Sequence, residues 1–156
     1  MTSLLDDINT LIQTSLDDVI SNPDCEDCLQ ALDAYGRQME GYLDVLEEMT
    51  GTLGKGVKRL RRKQRQFEAL AGEAGESARQ FHREGQNNLA RAAQDRMRVM
   101  QQASQAFQEE ADLQNDRFRA LMDVKLRLEA RLTEVAQKRT ALQMTRSQDQ
   151  NALLAA

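Results

Sequence analysis

Cys25 and Cys28, separated by Glu26 and Asp27, are the only thiols in the chain. Two thiols at this spacing can form a redox pair or hold half of a metal site. A helix N-terminus favours the thiolate, but Asp24, Glu26 and Asp27 crowd the same turn with negative charge and oppose it. Redox pairs of this type usually sit beside a βαβ unit, and no strand pattern surrounds them here. Zinc needs four ligands, while the single histidine, His82, lies at the far end of a long helical segment. The pair reads as small buried thiols, with a redox role or an interchain metal site as the alternative.

Other chemistry-bearing residues lead to similar conclusions. Gly51-Thr52-Leu53-Gly54-Lys55-Gly56 suggests a phosphate loop, yet it lacks the G-x-x-x-x-G-K-[ST] spacing and the preceding strand. His82 has no Ser, Cys or ligand-bearing neighbour and reads as a solvated residue. The carboxylates are strung along helix faces where nothing desolvates them for acid–base work. Catalysis, cofactors and metals are therefore not expected. Lys55, Lys58, Arg59, Arg61, Arg62, Lys63 and Arg65 make one basic run. It reads as a solvated face paired with acids of the second arm or of a neighbouring molecule, Glu109, Glu110 and Asp112 being the matching acids. Anionic lipid or nucleic acid is the other reading. No aromatics interleave with the run for base stacking, and a net charge of −4 gives no bulk attraction to nucleic acid.

The elements that carry these residues are long helices. Two stretches, Cys25 to Phe81 and Ala90 to Leu142, keep an apolar repeat with alternating spacings of three and four. Leu29, Leu32, Met39, Leu46, Thr50, Leu60, Phe67 and Ala78 exemplify the first seam, and Met97, Ser104, Phe107, Ala111, Leu121, Leu128 and Val135 the second. Aromatics are only 4% of the chain and Pro23 is its sole proline, which leaves little to interrupt a helix. The polar break at 83–88, containing Gly85, is the one interruption suited to a tip. Each arm would be about 90 Å long at 1.5 Å per residue.

Facing charges decide between a hairpin and one continuous dimeric rod. Folding at residue 85 sets residues 24–48, net −7, against 122–146, net +3. It sets 55–66, net +7, against 104–115, net −3, and 67–82, net −2, against 88–103, net +2. Opposite signs in all three blocks select the antiparallel hairpin. Gly51, Gly54 and Gly56 mark either a hinge or a merely flexible stretch of the first arm.

Ahead of the hairpin lies an amphipathic helix. Leu4, Leu5, Ile8, Leu11, Ile12, Leu16, Val19 and Ile20 share one wide stripe, with Asp6, Asp7, Asp17 and Asp18 opposite. Asn22, Pro23 and Asp24 can then cap and start the first arm. The stripe would contact a membrane interface, a protein partner or the base of its own hairpin. The expected fold is all-α, an N-terminal amphipathic helix followed by a long antiparallel two-helix coiled-coil hairpin. Its parts are the helix at 1–21, the hairpin at 22–150 (arm one 23–82, tip 83–88, arm two 89–150) and a frayed tail at 151–156. No secretory signal pattern opens the chain, so a cytoplasmic location is expected.

This organisation resembles the phage shock protein A family, with its vesicle-inducing plastid relatives and wider ESCRT-III kinship. Asn22-Pro23 resembles the Asp-Pro that opens the family's first long helix, and Gln38-Met39-Glu40 a Met-Glu segment along it. Asn88-Leu89-Ala90-Arg91-Ala92-Ala93 resembles the family's D-L-A-R-A-A sequence after the tip. Glu129, Arg131, Leu132 and Glu134, then Ala141, Leu142, Arg146 and Gln148, resemble the close of its hairpin. About one extra helical turn sits between Pro23 and Met39, and the chain stops before the family's further helices, as a form truncated after the hairpin. The resemblance implies a non-enzymatic bacterial stress-response scaffold, peripheral on the inner face of the cytoplasmic membrane, that remodels or stabilises it by self-assembly. The expected partners are further copies of the chain, a lipid surface and a regulatory protein, and not nucleic acid. The runner-up is a coiled-coil stalk or adaptor similar to those of export machinery.

Overall fold

In the computed structural model, residues 2–20 and 27–155 are described, and they form four helices: α1 Thr2–Gln13, α2 Leu16–Val19, α3 Cys28–Arg83 and α4 Asn87–Ala155. The fold is all-α, with α3 and α4 packed against each other as an antiparallel hairpin. Asn22, Pro23, Asp24, Cys25 and Glu26, expected to cap and open arm one, lie outside the described residues. Cys28 is buried at the start of α3.

The seam follows the three–four repeat closely. Every inward position of the expected pattern from Leu29 to Leu142 is buried or half-buried. Many stay half-buried because a two-helix seam covers each side chain from one direction only, unlike the core of a globular domain.

Two compact units divide the chain, Met1–Thr50 with Ala120–Ala156 and Gly51–Arg119. The first unit is built on Leu32, Met39, Leu46 and Leu128, all fully buried, with Leu121 and Val135 nearly so. Asp33 and Arg139 join its arms, Nε to Oδ1 at 2.6 Å. Cys28, Tyr35 and Val124 are buried there as well, off the main seam.

In the second unit, Phe67 stacks on Phe107 with ring centroids 5.5 Å apart, and the Ser104 hydroxyl donates to the Gln64 carbonyl at 3.3 Å. Towards the turn the core shrinks to Ala71, Ala74, Ala78 and Ala90. A Cβ on Gly75 would meet the Met97 sulfur at 3.0 Å. The glycine-rich stretch read as a hinge or a flexible helix is helical throughout. Gly54 and Gly56 face Phe118 and Gln114 there, at 3.5 and 3.1 Å from an added Cβ.

The tip is shorter than the expected 83–88 because α3 closes in a Schellman turn. Gly85 adopts φ +75°, the Gln86 N–H donates to the Phe81 carbonyl at 2.8 Å, and the Gly85 N–H to the His82 carbonyl at 3.1 Å. One sequence expectation needs correction. The single helix over 4–20 is in fact two helices with a break at Thr14–Ser15. α4 continues through Ala155, and no proline or glycine follows Gly85 to break it.

Candidate functional site

The break in the N-terminal segment arises from its own polar residues. The Thr10 hydroxyl donates to the Asp6 carbonyl at 2.8 Å, and the Thr14 hydroxyl to the Thr10 carbonyl at 2.9 Å. The same back-bonding occurs at Thr133, Thr140 and Thr145 inside the unbroken α4, so the break lies with Ser15. Ser15 then leaves the helix, φ −63° and ψ 137°, and its Oγ accepts from the Asp17 N–H at 3.3 Å as the N-cap of α2.

Ending α1 here leaves its last carbonyls without partners from its own helix. The hairpin supplies them. The Tyr35 hydroxyl of α3 donates to the Leu11 carbonyl, and Arg131 of α4 donates through a terminal nitrogen to the Thr14 carbonyl. No basic residue occupies the last turn of α1, so Arg131 also brings the missing positive charge to the negative end of that helix. Its Nε reaches the Tyr35 hydroxyl at 3.3 Å, and its other terminal nitrogen binds Glu134 at 2.7 Å. Burial, the largest single influence, pulls the Arg131 pKa down. Hydrogen bonds to Tyr35 and Glu134, with their charges, outweigh it and hold the guanidinium above its ordinary value. Lys138 approaches Asp17 at 3.8 Å, a pair too exposed to contribute much.

The apolar stripe follows the same docking. Ile8 is fully buried and Ile20 nearly so, whereas Leu4, Leu5, Leu11, Ile12, Leu16 and Val19 are only half-buried. Ile8 and Ile20 are therefore the stripe residues most fully covered within the first unit. The two residues that hold the segment, Tyr35 and Arg131, were absent from the sequence-derived candidates. Their signals were faint: a tyrosine one step off the seam, and an acidic, serine-interrupted helix lacking a C-terminal cation.

The basic run behaves differently. Arg61 reaches Asp112 at 2.5 Å within the chain, and Lys63 lies over the Phe107 ring, 5.5 Å from its centre. Lys55, Lys58, Arg59, Arg62 and Arg65 are exposed and make no ion pair among the described residues. Glu109 and Glu110 accept from Gln105 at 3.3 Å and Gln114 at 3.1 Å on their own helix. No group of three His, Cys, Asp or Glu side chains able to hold a metal occurs among the described residues.

Fold and site together define an antiparallel helical hairpin carrying a broken amphipathic segment pinned by Tyr35 and Arg131. The chain is similar to the phage shock protein A homolog of Deinococcus radiodurans, 28% identical over 141 residues. That stretch covers 90% of this chain and 62% of the relative, so the chain spans less than two thirds of the relative's length. The likeness supports kinship with the phage shock protein A family. No family model matches the chain.

Proposed function

We propose that this protein is a non-enzymatic, peripheral membrane scaffold of phage shock protein A type that stabilises or remodels the cytoplasmic membrane by self-assembly. ESCRT-III-like polymerisation belongs to the same reading. One observation carries it: an amphipathic segment whose apolar stripe is mostly half-buried and whose polar ties to the hairpin centre on two side chains. Swinging away from those ties would free all eight apolar residues for a lipid interface, at roughly 25 cal/mol for each Å² removed from water. The relative's name supports the choice, and no described helix is long and apolar enough to cross a membrane. Asp6, Asp7, Asp17 and Asp18 give the segment no attraction to anionic lipid. Loosely packed zwitterionic vesicles are therefore the expected target.

Ile8→Asp combined with Ile12→Asp is expected to abolish vesicle flotation while helicity measured by circular dichroism stays within a few per cent. Undiminished flotation would remove the membrane assignment. A second reading rests on the docking of the same stripe against protein in this structure: the chain as a stalk or adaptor for a protein partner. Indifference to vesicles together with stoichiometric capture of one export component would favour it.

A further inference from the structure

Charge is divided unevenly between the two compact units. The first carries seven Lys and Arg against sixteen Asp and Glu, the second fourteen against nine. The chain's net −4 therefore conceals a second unit at +5. Within that unit the surplus lies on α3, where no acid occurs between Glu48 and Glu68. Lys55, Lys58, Arg59, Arg62 and Arg65 recur there at helical spacing and share one face. The half-buried seam residues Val57, Leu60, Gln64 and Phe67 occupy the opposite face, and all five cations are exposed. At the edges of the face, Arg61 and Lys63 are engaged by Asp112 and by the Phe107 ring. The five between them form no ion pair among the described residues.

We propose that this face of α3 binds the headgroups of anionic phospholipid, as a lipid contact separate from the N-terminal segment. The inference rests on the membrane reading above and names the lipid class. The N-terminal segment does not supply this attraction, because no Lys or Arg precedes Arg37 and its polar side is acidic. From Lys55 to Arg65 the face runs for about 15 Å at 1.5 Å per residue. That exceeds the Debye length of about 10 Å at 0.1 M salt, so a charged surface meets the local stripe rather than the chain's net charge. Long side chains on one helix face reach a plane of phosphates together, and each cation near an anionic leaflet raises partitioning about fivefold. Nucleic acid is the rival polyanion, but no aromatic accompanies these cations to stack on a base.

The test is vesicle sedimentation of the full chain carrying Ile8→Asp and Ile12→Asp, which removes the segment's contribution. This protein should ignore purely zwitterionic vesicles. It should bind vesicles containing about one-third phosphatidylglycerol at low salt and leave them as salt rises. Adding Lys58→Gln, Arg59→Gln and Arg62→Gln should lower that partitioning about 100-fold. Glutamine matches Lys and Arg in helix propensity, so α3 keeps its helix. Arg83→Gln, Arg91→Gln and Arg96→Gln remove the same charge from exposed positions of the same unit off this face, and should lower it less than about threefold. Equal losses from the two triple variants, or no binding to anionic vesicles before either is made, would overturn the proposal. So would tighter binding of a DNA duplex through the same three cations in the same buffer, which would make the face a nucleic-acid surface. The two lipid contacts fail separately. A parent chain that floats on zwitterionic vesicles and gains nothing from anionic lipid loses this inference and keeps the membrane role of the segment. A parent chain that ignores zwitterionic vesicles but binds anionic ones through Lys58, Arg59 and Arg62 loses that role and keeps this face.

Discussion

Replacing Arg131 with methionine keeps the length and apolar bulk of the side chain while deleting its charge and its donors. Three attachments disappear. The bonds to the Thr14 carbonyl and the Tyr35 hydroxyl bear on the N-terminal segment, while the Glu134 contact lies along α4 itself. A hydrogen bond to a charged group contributes about 1.5–3 kcal/mol. The Arg131 side chain is only 16% exposed, so solvent screens these bonds little. The Glu134 pair, three residues apart on an open helix surface, adds only about 0.2–0.5 kcal/mol. The Tyr35 bond joins α4 to α3 and acts on α1 only through the tyrosine, so it counts in part and docking of α1 should weaken by about 2–4 kcal/mol. Amide hydrogen exchange reads this directly, with protection across Thr2–Gln13 falling roughly 30- to 1,000-fold. Amides around Leu121 and Leu128 should keep theirs. Unchanged protection in α1, or an equal loss along α3 and α4, would refute the assignment of Arg131 as the residue that holds the segment.

Two further outcomes follow from the geometry. Gly85→Ala places a Cβ in the left-handed region at φ +75° and should lower stability by about 1–2 kcal/mol, read as a shift in the urea midpoint without a change in slope. Leu128→Ala empties a fully buried position in the first unit and should cost about 2–5 kcal/mol in the same titration.

The hairpin was legible because a seven-residue repeat is a long-range signal. Leu32, Met39, Leu46, Ala111 and Leu128 are buried where that repeat puts them, and Gly85 turns the chain where the only polar, glycine-bearing interruption lies. What escaped was local. The break at Thr14–Ser15 depends on Ser15 capping α2 by accepting the Asp17 N–H, a balance of about 1 kcal/mol that an apolar stripe does not report. Tyr35 and Arg131 act across elements far apart in sequence, so their roles emerge only when α1 lies against α3 and α4. The basic run illustrates the same limit. Block charges matched across the arms, yet of its seven cations Arg61 alone is half-buried beside the seam, and it is the one that meets Asp112.

Spin labels placed singly at Leu5 and Ile12, and at Asp6 and Gln13, can be compared for exposure to oxygen and to a water-soluble relaxant with the protein on zwitterionic vesicles. Labels at Leu5 and Ile12 should enter the acyl region while those at Asp6 and Gln13 stay in water, alternating with the helical period. If all four keep the accessibilities they have without lipid, the N-terminal segment is not a membrane element and the proposed function is wrong.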